Sequence, residues 1–196
     1  MKEDRGLQHK IIAIGSSTGG PGHIQKILSA IPSNFNATII IAQHINSIFL
    51  DSIVESLNSF CRIPVFVGRD GMVLEVPSVV FAKGPGINQV VYDCNTYKLK
   101  ILDIVSDDYS PSVNRLFLSI ADLPKQPNAL AVLMTGIGDD GARGLLELKK
   151  IGVHTVAESE ESAVVYGMPR AAYEMDAAQE VLNLDRIVNK ILEFGR

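Results

Sequence analysis

Three short stretches of the chain hold the residue types that hydrolytic chemistry uses. They are Gly15-Ser16-Ser17-Thr18-Gly19-Gly20, Gln43-His44, and Thr135-Gly136-Ile137-Gly138-Asp139-Asp140-Gly141. A serine hydroxyl is a weak nucleophile at neutral pH. It needs a neighbouring base, and the base needs an acid to orient it. Ser17 lies in Gly15-x-Ser17-x-Gly19, the spacing of a nucleophile on a sharp strand-to-helix turn. Its glycines allow a tight turn and close approach of a substrate. His44 is the candidate base, and one member of the Asp139–Asp140 pair is the candidate orienting acid. The helix after the serine turn can present N-terminal N–H groups to a developing oxyanion.

Each of these residues also has a purely structural reading. Ser16 and Ser17 can cap the helix that follows, and a lone histidine is more often structural than catalytic. Asp139 and Asp140 can cap the next helix, one doing so while the other faces His44. A glycine-rich turn after a first strand is also the form of a phosphate or dinucleotide loop. Here the spacing is not G-x-G-x-x-G, no acid closes the second strand, and Pro21 stands where a Walker loop needs lysine. His9 falls in a tail, His23 on a helix and His154 in a strand, so none of them is the expected base.

The elements between these stretches decide whether they can meet. Ile11–Gly15 and the isoleucine-rich Thr38–Gln43 read as strands. Ala129–Met134 reads as a buried strand, and His154–Ala157 as another. Between them run helical stripes: Ile24, Ile27, Leu28 and Ile31; Leu50, Ile53, Val54 and Leu57; Val113, Leu116, Phe117 and Ile120; Leu145, Leu148 and Ile151. Ile187, Val188, Ile191 and Leu192 stripe a last helix. Alternation of this kind predicts an α/β fold: a doubly wound, mostly parallel sheet with helices on both faces. The segment Pro64–Leu102 differs, with short strands split by Asp-Gly, Pro-Gly and Cys-Asn turns. It reads as a small antiparallel excursion at one edge. In open parallel sheets, ligands bind beyond the carboxyl ends of the strands. Serine, histidine and acid all follow such ends.

Composition narrows the field further. With 46% hydrophobic and 20% charged residues the chain has the balance of an ordinary globular domain. No apolar run approaches the roughly 20 residues of a membrane span, so no direct membrane insertion is expected. The first ten residues are polar and form an expected tail, with residues 11–196 as the catalytic domain. They lack the apolar core of a secretory signal. Two cysteines, Cys61 and Cys94, have no metal-ligand spacing, which favours a cytoplasmic location and predicts no metal site. A net charge of −4 with no basic run makes nucleic acid a poor partner.

Taken together with Val164-Val165-Tyr166-Gly167-Met168-Pro169, these motifs resemble the catalytic domain of the chemotaxis protein-glutamate methylesterase family, CheB, over about Lys10 to Leu192. The resemblance implies a cofactor-free serine hydrolase that removes methyl esters from glutamates on the cytoplasmic helices of methyl-accepting chemoreceptors. It implies a related deamidation of receptor glutamines; the alternatives are a methylesterase-like esterase with a different protein or small-molecule substrate, and a noncatalytic docking module that keeps the fold. It assigns Ser17, His44 and Asp140 as the catalytic residues, and Thr18 and the Ile137 N–H as the oxyanion contacts. Departures from the family pattern are Ser110 for arginine, Asn114 for aspartate and Gln89 for histidine. The chain as given also has no room for the family's N-terminal receiver domain, so activity independent of phosphorylation is expected.

Overall fold

The computed structural model describes residues 9–103 and 109–196. In chain order the elements are β1 (Lys10–Ser16), α1 (Gly20–Ala30), β2 (Thr38–Gln43), α2 (Leu50–Asn58), β3 (Val65–Val67), β4 (Met72–Val73), β5 (Ser78–Phe81), β6 (Ile87–Asp93) and β7 (Thr96–Leu102). They continue with α3 (Val113–Ala121), β8 (Asn128–Leu133), α4 (Ala142–Lys150), β9 (His154–Glu158), α5 (Met168–Glu174), β10 (Glu180–Leu182) and α6 (Leu184–Phe194). β1 begins at Lys10, inside the stretch assigned to the tail; residues 1–8 of that tail lie outside the described residues.

The main sheet has seven strands in the order β10-β9-β8-β1-β2-β5-β3, and all its pairings are parallel. From β1 the chain first builds outward through β2, then returns to add β8 on the other side. β1 is therefore the point where the winding reverses, and a crevice opens beyond the carboxyl ends of β2, β1 and β8. Those are the three strands that precede the three motifs.

The central strands are apolar on both faces because both faces are covered. Along β1 and β2 the side chains alternate. Ile12, Ile14, Ile39 and Ile41 face a core shared with α1, α2 and α6, in which Ile24, Leu28, Leu50, Val54, Ile187 and Ile191 are buried. Ile11, Ala13, Ile40 and Ala42 face a second core, built from α3, α4 and α5. This is the doubly wound α/β architecture expected from the sequence.

The segment Pro64–Leu102 divides differently from its reading as one antiparallel excursion. β3 and β5 extend the parallel sheet, β5 pairing with β2 in the register Thr38↔Ser78 to Ile41↔Phe81. Only β4, β7 and β6 form a separate antiparallel sheet, in the order β4-β7-β6. Burial explains the split. All four residues of β5 are buried, as a strand covered on both faces requires, whereas β6 alternates buried and partly exposed positions. A short apolar run read in isolation does not reveal the direction of its partner. α5 and β10 were also not resolved by periodicity, since each is too short to show a stripe.

Candidate active site

β1 and β2 end in register, with Ser16 opposite Gln43. The next residue on each strand is Ser17 or His44, so the two candidates leave the sheet side by side. Backbone hydrogen bonds hold this exit: His44 N–H donates to Ser16 C=O at 3.0 Å, and Ser17 N–H donates to Thr135 C=O at 2.9 Å. The second bond brings the loop after β8 against the serine. Ser17 is half-buried, while Ser16 is fully buried and gives its hydroxyl to Gln43 Oε1 at 2.7 Å. Of the two adjacent serines only Ser17 is open to a substrate. Among the described residues its hydroxyl makes no hydrogen bond.

Asp140 and His44 meet directly. His44 Nε2 lies 2.8 Å from Asp140 Oδ2. An ionised carboxylate only accepts, so Nε2 carries the proton and Nδ1 keeps a free lone pair. Asp140 is 1% exposed, yet its carboxylate has three further donors: Val113 N–H at 2.7 Å, Asn114 N–H at 2.9 Å and Ser112 Oγ at 3.2 Å. Ser112 is the N-cap of α3. The acid therefore sits on the N-terminus of a helix, whose positive pole complements its charge. Asp139, by contrast, is exposed, and its backbone C=O closes the turn into α4 by accepting from Ala142. Sequence spacing left open which acid faces His44; the packing of α3 against the end of β1 decides it.

That packing also explains Gly15. A Cβ there would collide with Val113 Cγ1, so the glycine makes room for the first turn of α3, not for a substrate. The helix after the serine loop also acts differently from expectation. Its first N–H, that of Gly20, donates back to Ser17 C=O at 2.9 Å, and Pro21 has no N–H to offer.

The unpaired donors lie elsewhere. Thr18 is exposed, as is Ile137 at 63%. Among the described residues neither backbone N–H has a hydrogen-bond partner. In each case the carbonyl of the same peptide unit is held. Ser17 C=O takes Gln43 Nε2 at 2.8 Å, and Gly136 C=O takes Met168 N–H at 2.9 Å and Gly167 N–H at 3.1 Å. A trans peptide points its N–H opposite to its C=O, so pinning each carbonyl inward turns both N–H groups outward.

Behind this loop lies a polar brace that motif reasoning missed. Thr135, fully buried, gives its hydroxyl to Thr18 C=O at 2.8 Å and accepts from Val165 N–H at 2.9 Å. Its own N–H goes to Glu158 Oε2 at 2.8 Å. Glu158 is fully buried, and its other oxygen accepts from Ser162 Oγ at 2.7 Å and lies 3.3 Å from His23 Nδ1. Tyr109 is a second omission. Its ring stacks on His44 with centroids 5.0 Å apart and planes 8° apart. Its position just before Ser110-Pro111-Ser112 was the available signal, but nothing in the spacing tied it to His44.

Among the described residues no group of three or more His, Cys, Asp or Glu is placed to hold a metal ion, and no helix is long and apolar enough to cross a membrane.

The model of the CheB methylesterase family matches residues 12–191. The chain belongs to this family. It is 38% identical over 191 residues to protein-glutamate methylesterase/protein-glutamine glutaminase 2 of Carboxydothermus hydrogenoformans, covering 95% of this chain and 54% of that protein. It is 38% identical over 186 residues to protein-glutamate methylesterase/protein-glutamine glutaminase 1 of Rhizobium johnstonii, covering 94% of this chain and 53% of that protein. The crystal structure of the Thermotoga maritima CheB methylesterase catalytic domain superposes with a TM-score of 0.89 at 30% identity, covering 95% of this chain and 99% of that one. This CheB-family chain spans about half the length of the curated relatives it matches.

Proposed function

We propose that the chain hydrolyses methyl esters of protein glutamate side chains, with Ser17 as nucleophile, His44 as base and Asp140 as the orienting acid. The observation that carries this reading is the Asp140–His44 pair at the carboxyl end of β2, beside the half-buried Ser17, whose hydroxyl makes no hydrogen bond among the described residues. Its sequence relatives bear the names protein-glutamate methylesterase and protein-glutamine glutaminase.

In the first step Ser17 Oγ attacks the ester carbonyl while His44 Nδ1 takes the hydroxyl proton. Asp140 holds the imidazole by Nε2 and stabilises the imidazolium. The tetrahedral oxyanion is bound by the N–H groups of Thr18 and Ile137. Collapse breaks the ester C–O bond, and His44 returns its proton to the departing methoxide, releasing methanol. Water, deprotonated by His44, then attacks the acyl-serine to free the glutamate carboxylate and regenerate Ser17. A glutamine side chain follows the same course with ammonia as leaving group. No metal or organic cofactor takes part. The substrates in this reading are the cytoplasmic helices of methyl-accepting chemoreceptors, which places the protein in the cytoplasm.

A second reading, a methylesterase-like esterase for another protein or a small-molecule ester, draws on Ser110. Serine is neutral where the family pattern has the cationic arginine, and among the described residues its buried hydroxyl, beside Gly84, has no hydrogen-bond partner. One experiment addresses both readings: methanol release from methylated receptor fragments and from small activated esters, with Ser17→Ala as control. Turnover of both by the wild type and of neither by the variant is expected. Turnover of small esters alone favours the second reading. No Ser17-dependent turnover of either removes the hydrolase reading altogether.

A further inference from the structure

Gln43, the last residue of β2, places a polar side chain between the serine loop and the start of α1. It is 4% exposed. Its carboxamide makes three hydrogen bonds that span two of the three motifs. Nε2 donates to Ser17 C=O at 2.8 Å and to His44 C=O at 3.1 Å, and Oε1 accepts from Ser16 Oγ at 2.7 Å. The orientation of the amide is forced, because two carbonyls can only accept and so must face the NH2 end. Gly20 shows that this arrangement shapes the loop. A Cβ at that position would fall on Gln43 Oε1, so the glycine leaves the space that the carboxamide fills.

We propose that Gln43 is a positioning residue that presets the oxyanion-binding N–H of Thr18 and ties it to the strand end carrying His44; this rests on the ester-hydrolase reading above. Ser17 C=O and Thr18 N–H belong to one planar trans peptide and point in opposite directions. Gln43 Nε2 and Gly20 N–H hold that carbonyl from the protein side. The Thr18 N–H is thereby aimed before any substrate arrives, and no reorganisation is needed as charge develops on the carbonyl oxygen. Because the same NH2 group also binds His44 C=O, the oxyanion donor and the base cannot drift independently. Without Gln43 the loop keeps only the Gly20 bond on this carbonyl and gains rotational freedom. Gln43 touches no reacting atom; it acts through the Ser17–Thr18 peptide.

The test uses Gln43→Met, which keeps length and volume but neither donates nor accepts comparably, and Gln43→Glu, which keeps the acceptor for Ser16 and replaces the NH2 group by an oxygen. Each is compared with the wild type on a small activated ester and its matched thionoester, with Ser17→Ala as background and thermal unfolding as the fold check. A sulfur anion accepts hydrogen bonds poorly, so the oxo-to-thiono rate ratio reports how well the oxyanion donors are aimed. Removing an oxyanion donor costs roughly 100- to 1000-fold, and misaiming one is expected to cost about 10- to 100-fold in kcat. KM should stay within about twofold, since ground-state binding uses other contacts. The oxo-to-thiono ratio should fall in the same variants. A folded Gln43→Met with an unchanged ratio overturns the inference while leaving the hydrolase reading intact. Unfolding of both variants overturns it too, because the residue would then serve the fold. Absence of Ser17-dependent turnover in the wild type removes the hydrolase reading, and this inference with it.

Discussion

The carboxylate of Asp140 meets His44 at Nε2, 2.8 Å away, and the same carboxylate closes the first turn of α3 through Val113, Asn114 and Ser112. One buried acid thus orients the imidazole and caps a helix. In the proposed triad this leaves Nδ1 as the nitrogen available to take the Ser17 proton, the reverse of the arrangement in which the acid binds Nδ1.

Asp140→Asn is expected to lower kcat by about 1000-fold or more, since an amide both loses the charge that stabilises the imidazolium and favours the wrong tautomer. It should also destabilise the fold by about 1–3 kcal/mol, because an amide NH2 then opposes α3 donors that a carboxylate oxygen had accepted. Asp139→Asn, on an exposed side chain, should change both by little. Steady-state kinetics and denaturant unfolding on the two variants check this. Equal losses would refute the division of roles.

A fluorophosphonate probe should label Ser17 and not Ser16. Ser16 is fully buried and its hydroxyl is committed to Gln43. Peptide mapping of the adduct decides the matter, and Ser16→Ala should slow labelling without moving it. Adduct on Ser16 would contradict the geometry.

Tyr109 should act on His44 through ring stacking, not through its hydroxyl. An aromatic pair contributes about 0.5–1.5 kcal/mol beyond its buried area, so Tyr109→Ala should cost up to about tenfold in kcat/KM. Tyr109→Phe should restore most of that. A Phe variant as impaired as the Ala variant would show that the hydroxyl, not the stack, matters.

Glu158→Leu should lower the proposed hydrolysis from behind the loop. It strands the buried Thr135 N–H, at a cost of about 1–3 kcal/mol, and loosens the residue whose carbonyl and hydroxyl hold Ser17 and Thr18. Glu158→Gln keeps an acceptor for Thr135 and should recover most of both stability and activity. Thermal unfolding and kcat measured together test the pairing; a Leu variant of wild-type stability would remove the brace from the account.

Glu180 supplies a pH dependence at the far edge of the sheet. Its hydrogen bond from Lys190 holds its carboxyl below the usual range, opposed by partial burial and helped by His154. A carboxyl with a depressed folded-state value stabilises the fold above the ordinary carboxylate range. That contribution is lost as pH falls through the depressed value. Glu180 is about one-third exposed, so the effect should be under about 1 kcal/mol. Lys190→Met should reduce the stability difference between neutral and acidic pH, as read by unfolding midpoints. An identical acid profile in the variant would refute the link.

Much of this protein is written locally. The period of the apolar residues identified strands β1, β2, β8 and β9 and helices α1 to α4 and α6. Alternation of the two is enough to imply a parallel sheet, because parallel strands need crossovers and the crossovers are helices. The rule that such sheets bind ligands beyond their carboxyl ends then placed Ser17, His44 and the acid pair on one edge. Two things could not come from spacing. The partner of a short strand is a non-local choice, so β5 could be recognised as a strand without revealing that it runs parallel between β2 and β3. Likewise, which carboxylate meets His44 depends on what packs against it. Asp139 and Asp140 are chemically alike and adjacent, and only the arrival of the α3 N-terminus from 26 residues earlier in the chain buries one and leaves the other in solvent. The roles of Gln43, Tyr109 and Glu158 are of the same kind. Each residue is unremarkable in its own segment, and its hydrogen bonds or ring contacts exist only once distant strands and loops have been brought together.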